Sequence, residues 1–113
     1  MDPAPPDRAR VLELGCASGG NLIPMALSWP DSRFVGVDLS ERQIHDGEQI
    51  VRELDLDNVD LKCQCILDVS RDLGPFDYIL CHGVYSWVPA DVQNKILEIC
   101  RDQIGRASCR ERV

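Results

Sequence analysis

A chain of 113 residues, 44% of them apolar, can build one small hydrophobic core and is too ordinary in composition for a disordered or fibrous protein. Its formal charge of −7 argues against a nucleic-acid backbone as main partner, because that binding needs clustered Lys and Arg to neutralise phosphates. No run approaches a membrane span and the opening MDPAPPDRAR lacks the apolar stretch of a secretory signal, so a cytoplasmic protein without membrane partners is expected.

In that compartment the six cysteines, at 16, 63, 65, 81, 100 and 109, are expected to be reduced. Cys63 and Cys65 are the one close pair, and C-x-C alone does not supply the four ligands of a tetrahedral zinc site, so no metal is expected. The cysteines read as small buried apolar side chains.

Residues 10–14, RVLEL, read as a short buried strand ending at Gly15. Gly19-Gly20-Asn21 opens a helix carrying Leu22, Ile23, Met25, Ala26 and Leu27, with Pro24 near enough to its first turn to be tolerated. Residues 33–37, RFVGV, are a second strand with Asp38 at its carboxyl end. Ser40-Glu41-Arg42-Gln43 is a capping box, and the helix it starts places Ile44, Gly47, Val51 and Leu54 on one face. Residues 59–66, VDLKCQCI, alternate well enough for a third strand, and their one polar face suggests a position near a sheet edge. Gly74-Pro75 punctuates the chain before a fourth strand at 76–81, FDYILC. After the irregular HGVYSWVP, Pro89 starts a helix through about Arg101 with Val92, Ile96, Ile99 and Cys100 as its stripe. This alternation predicts an α/β fold with a parallel sheet and right-handed crossovers.

In such sheets ligands sit beyond the carboxyl ends of the strands, which here carry Glu13 to Gly19, Asp38, Asp68 and Cys81-His82. Glycines after the first strand let backbone approach a ligand, and a helix N-terminus there offers unpaired N–H groups. Asp38, about twenty residues beyond that turn, stands where a carboxylate accepts from ribose hydroxyls. Ser40 already serves as the helix cap, which leaves Asp38 for a ligand. A dinucleotide site calls for G-x-G-x-x-G, and Ala17 stands where the middle glycine belongs. Glu13 suits a cationic ligand group better than a pyrophosphate. An NAD(P)-dependent oxidoreductase and a non-catalytic nucleotide-binding fragment stay open as alternatives.

E-L-G-C-A-S-G followed by V-G-V-D-L-S resembles the first two motifs of the class I S-adenosylmethionine-dependent methyltransferases. The resemblance implies a Rossmann-like parallel sheet and S-adenosylmethionine as cofactor. Glu13, Gly15, Cys16, Ala17 and Gly19 would then line its methionine part and Asp38 would take the ribose. Ala17 departs from the family's glycine, a change that should be tolerated if its backbone has negative φ. Ile66-Leu67-Asp68-Val69 resembles the family's segment after the third strand, which implies Asp68 at the adenine amino group, Leu39 and Ile66 against the ring, and Val69 beside them. FDYILCHGVYSWVP resembles the fourth strand and the loop facing cofactor and acceptor, placing Cys81 at the cofactor. In that loop His82 could accept a proton, Tyr85 could position the nucleophile, and Tyr85 or Trp87 could face the cationic methyl. Cys16 and Cys81 could also approach each other across adjacent strands. More narrowly, the chain resembles bacterial methyltransferases with a downstream regulatory domain, implying a protein lysine as methyl acceptor; a small molecule is the other possibility.

The family's sheet has seven strands, of which four can be found here. Residues 104–113, IGRASCRERV, drop the helix periodicity and back-translate into a common sequencing-library adapter. The expected organisation is a partial cofactor-binding domain over 1–103, truncated after the fourth strand and its helix, plus a non-native tail. A fourth strand apolar on both faces would then be left uncovered, and the fragment is expected to be poorly soluble.

Overall fold

Strand β1, Arg10–Leu14, is buried along four of its five residues because sheet covers both its edges and helices both its faces. The computed structural model describes residues 9–69, 76–82, 89–103 and 108–112. The remaining strands are β2, Arg33–Asp38; β3, Val59–Cys63; β4, Tyr78–His82; and β5, Ser108–Arg112. They pair in the order β3-β2-β1-β4-β5, every pair parallel. Strand order reverses at β1, whose neighbours are β2 on one side and β4 on the other, so the expected parallel α/β fold is present with its switch point at the β1 carboxyl end.

Alternation along the strands divides the core into two layers. Leu12 and Leu14 of β1, Val37 of β2, and Ile79 and Cys81 of β4 face helix α3, Ala90–Gln103, which contributes Ile96 and Ile99. Val11, Phe34 and Leu61 face helix α1, Leu22–Ser28, and helix α2, Glu41–Glu53, which contribute Leu22, Ala26 and Ile44. Cys16 lies in this second layer and Cys81 in the first, so the two thiols expected to approach each other are separated by the sheet. Buried Asn58 donates its amide to the carbonyls of Ala26, Trp29 and Ser32 at 3.2, 3.3 and 3.0 Å, joining the end of α1 to the entry of β3.

Four sequence expectations are corrected. Strand β3 stops at Cys63 rather than 66, and Ile66–Asp68 form a 3-10 turn. Strand β4 starts at Tyr78, because Phe76 packs into the α3 layer and Asp77 ties the chain to Arg10 through N–H to O at 2.8 Å and Oδ2 from N–H at 2.9 Å. Leu54 turns outward, 44% exposed, since α2 has ended at Glu53. The edge of β4 is covered: Ser108–Arg112, inside the tail expected to be foreign, pairs with Tyr78–His82 as β5. A strand edge presents a row of backbone donors and acceptors, and a ladder asks only for extended chain within reach, whatever its side chains. The position of β3 at the sheet edge agrees with its half-polar sequence.

Candidate functional site

The turn after β1 is built from residues with positive φ: Gly15 at 78°, Ala17 at 53° and Gly19 at 83°. Ala17 thus lacks the negative φ under which its side chain would be tolerated without strain. A left-handed conformation costs a residue with a Cβ roughly 1–2 kcal/mol, and hydrogen bonds hold it here. Ala17 N–H donates to Asp38 Oδ2 at 2.9 Å, while Ser40 N–H donates to Oδ1 of the same carboxylate at 2.9 Å. Gly15 and Cys16 N–H groups both donate to Val37 O, at 2.8 and 3.0 Å, and Gly19 N–H donates to Cys16 O at 2.9 Å. The Ser40 hydroxyl accepts from Gln43 N–H at 3.3 Å, the cap the sequence anticipates.

Two glycines outside the motif let this turn sit against its neighbours. A Cβ on Gly47 of α2 would come within 2.5 Å of Ser18 O, and one on Gly36 of β2 within 2.7 Å of Cys16 Sγ. A glycine in mid-helix and another in mid-strand are signals of close backbone approach that sequence reading could have used.

Glu13 is buried, and its Oε2 accepts from Asn21 Nδ2 at 2.9 Å. Asn21 holds the N-cap position of α1 without capping it; its side chain goes to Glu13 instead. Cys16 is buried, and its thiol is pushed up to about 12, first by loss of solvation and then by the charges of Glu13 and Asp38. It stays a neutral packing group.

A cavity of about 320 Å³ opens at the carboxyl ends of β1, β2 and β3, lined by Gly15, Asp38, Leu39, Gln64, Cys65, Ile66, Pro89 and Val92. The structure thus brings together Gly15, Asp38, Leu39 and Ile66 of the anticipated residues. Glu13 of β1 and Cys16, Ala17 and Gly19 of the turn do not line it. Asp68 is exposed on the 3-10 turn and does not line the cavity. Val69 and Cys81, expected at the cofactor, are each 2% exposed in the α3 layer of the core. The His82 side chain, Tyr85 and Trp87 lie outside the described residues.

Sequence reading missed Gln64, Cys65, Pro89 and Val92. The first two would have stood out had β3 been ended at Cys63, whereas Pro89 and Val92 arrive only through the docking of α3 and left no local signal.

Chemically, the cavity matches a nucleoside. Each Asp38 oxygen accepts one backbone N–H and keeps a lone pair for a hydroxyl. Leu39, 70% exposed, stands at its rim as an apolar surface without protein cover. Among the described residues no group of three His, Cys, Asp or Glu side chains could hold a metal, and no helix is long and apolar enough to cross a membrane.

The protein RP789 of Rickettsia prowazekii is 50% identical over 99 residues, covering 88% of this chain and 18% of its own length. A second protein of that organism, RP028, is 46% identical over 99 residues, 88% of this chain and 40% of its own. Among solved structures, PKMT2 from Rickettsia typhi in complex with AdoHcy superposes with a TM-score of 0.87 at 44% identity, over 93% of this chain and 20% of that one. The chain therefore spans a minor part of these relatives. The family described as "Methyltransferase domain" matches residues 11–104, most of the chain and every element from β1 to α3, and the chain belongs to that family.

Proposed function

We propose that this chain forms the cofactor-binding half of an S-adenosylmethionine-dependent methyltransferase. The observation that carries the proposal is the joining of the turn to the ribose carboxylate: Asp38, at the cavity wall, is aimed by the N–H groups of Ala17 and Ser40. The AdoHcy complex of PKMT2 and the family match support it over the NAD(P) alternative. When bound, the cofactor supplies an electrophilic methyl on a sulfonium.

The residues of this chain bind and orient. Asp38 accepts from the ribose hydroxyls, and Gly15, lacking a side chain at the cavity wall, lets the ligand approach the β1 end. Leu39 and Ile66 provide apolar contact and help to exclude water, so that positioning accounts for most of the rate enhancement. Glu13, held by Asn21, supports the turn from behind and offers a negative field to the cationic end of the ligand.

The acceptor in our reading is a protein lysine, with a small molecule as the alternative. It rests on the resemblance of ELGCASGGNLIPMA and FDYILCHGVYSWVP to bacterial methyltransferases with a downstream regulatory domain, and the 44% identity to PKMT2 supports it. His82 and Tyr85 are the acceptor-side candidates. With a charge of −7 we expect no nucleic-acid acceptor and no membrane partner, and a cytoplasmic location.

Calorimetry with S-adenosylhomocysteine and with NADH tests the proposal on the 113-residue chain. Heat with the first alone is expected; heat with NADH alone would overturn the reading. Asp38→Ala removes the ribose acceptor and frees two N–H groups, so affinity for S-adenosylhomocysteine should fall by about tenfold or more. Unchanged affinity would remove Asp38 from the site.

A further inference from the structure

Strand β3 forms one edge of the sheet, and its parallel pairing with β2 fixes which of its backbone groups are already bonded. Phe34 N–H donates to Asn58 O at 2.8 Å and Gln64 N–H to Asp38 O at 3.0 Å, so residues 58, 60, 62 and 64 turn their backbone groups toward β2. The N–H and C=O groups of Val59, Leu61 and Cys63 therefore point away from the sheet, where no described residue pairs with them. Val59 and Leu61 pack toward α1 and α2. Asp60 and Lys62 share the opposite face, 61% and 37% exposed, with Oδ2 and Nζ 3.2 Å apart. A lone lysine on an edge strand discourages pairing with another chain. Asp60, two residues away, reverses that effect for one partner.

We propose that β3 is a docking edge for a second copy of this chain, paired antiparallel about a two-fold axis beside Leu61. The outward backbone groups of residues 59, 61 and 63 must meet the same set in the second copy, which restricts the register to steps of two residues. With Leu61 opposite Leu61 of the second copy, and Val59 opposite its Cys63, about six backbone hydrogen bonds form. Asp60 then faces Lys62 of the second copy, and Lys62 faces its Asp60, at the closely spaced positions where side chains interact most. Sliding the strands by two residues one way sets Asp60 against Asp60, and the other way sets Lys62 against Lys62. The strand is thus complementary to itself in one register, a property that an unrelated strand would share only by chance. The charge of −7 on each copy opposes approach, but it is screened beyond about 8 Å at physiological salt, whereas the cross-strand pairs lie within about 5.5 Å. This pairing is independent of the cofactor reading.

Sedimentation equilibrium on the 113-residue chain at about 0.15 M salt tests the pairing, and a monomer–dimer equilibrium is expected. Asp60→Lys and Lys62→Asp should each weaken dimerisation by about tenfold or more, because each replaces both attractive cross-strand pairs with repulsive ones. An equimolar mixture of the two variants should dimerise again, as should the double variant Asp60→Lys/Lys62→Asp, since both restore opposite charges across the axis. Rescue by mixing also separates lost pairing from lost folding. Asp60→Lys lowers the net negative charge, so a dimer strengthened by it would trace association to total charge and overturn the proposal. A chain that stays monomeric, a dimer indifferent to these substitutions, or single variants that neither mixing nor the double change restores would overturn it as well.

Discussion

The turn at 15–20 and the segment at 64–69 meet at one cavity, yet they are held in opposite ways. Backbone and side-chain hydrogen bonds from Val37 and Asp38 brace the turn, and two glycines allow α2 and β2 to press against it. Among the described residues, the segment after β3 has few such ties: a backbone bond at Gln64, its own 3-10 turn, and Val69 anchored in the core, with Leu67 and Asp68 exposed. The difference teaches which part of the pocket is pre-formed. The turn is one backbone shape fixed by its own hydrogen bonds, whereas the second segment supplies side chains to the cavity wall, where substitution disturbs the fold less.

The contrast can be broken most severely at Gly47. Gly47→Ala puts a methyl 2.5 Å from Ser18 O, a backbone atom that cannot swing aside. Destabilisation of about 1–3 kcal/mol is expected, offset by up to about 1 kcal/mol of helix propensity. Thermal melting should fall by about 4–8 °C for each kcal/mol that remains, with weaker ligand binding. Leu67→Ala in the other segment, where the side chain is 42% exposed, should cost about 0.5 kcal/mol or less; an equal loss at both positions would erase the distinction.

A smaller effect of opposite sign is expected at Ala17. Ala17→Gly relieves the left-handed backbone while adding freedom to the unfolded chain, for a net gain of about 0.5–1 kcal/mol by denaturant titration. A loss would show that the Ala17 methyl contributes packing that outweighs its strain.

The smallest effect is a pH slope. Folding raises the Cys16 thiol from 9.0 to about 12, so the folded state favours the neutral form. That contribution is complete below the unfolded value and declines as pH climbs from about 9 toward about 12, because the unfolded chain ionises first. Urea midpoints measured from about pH 8 to about pH 10.5 should fall less steeply in Cys16→Ala than in the unaltered chain.

Much of this was legible in the residues. The apolar runs at 10–14 and 33–37, the capping box at Ser40 and the stripe of α3 announce their elements because period and cap chemistry are local. Gly15 and Asp38 were legible through their spacing as residues at strand ends, and they meet at the cavity because β1 and β2 pair side by side. Val69 and Cys81, expected at the cofactor, pack in the α3 layer of the core, a placement that sequence position near a strand end does not specify. Strand β5 was invisible for another reason: its side chains show no strand pattern, and its place follows from the open ladder of β4.

The sequence by itself determined the alternation of strand and helix, the glycine turn and the carboxylate twenty residues beyond it, because periodicity, capping and turn conformation act over a few residues. Only the tertiary structure decided that Ala17 is left-handed, that Asp38 holds it there, that Gln64 and Cys65 line the cavity, and that α3 supplies a wall. Each of these depends on a contact between residues distant in the chain, whose geometry is set by the packing of whole elements.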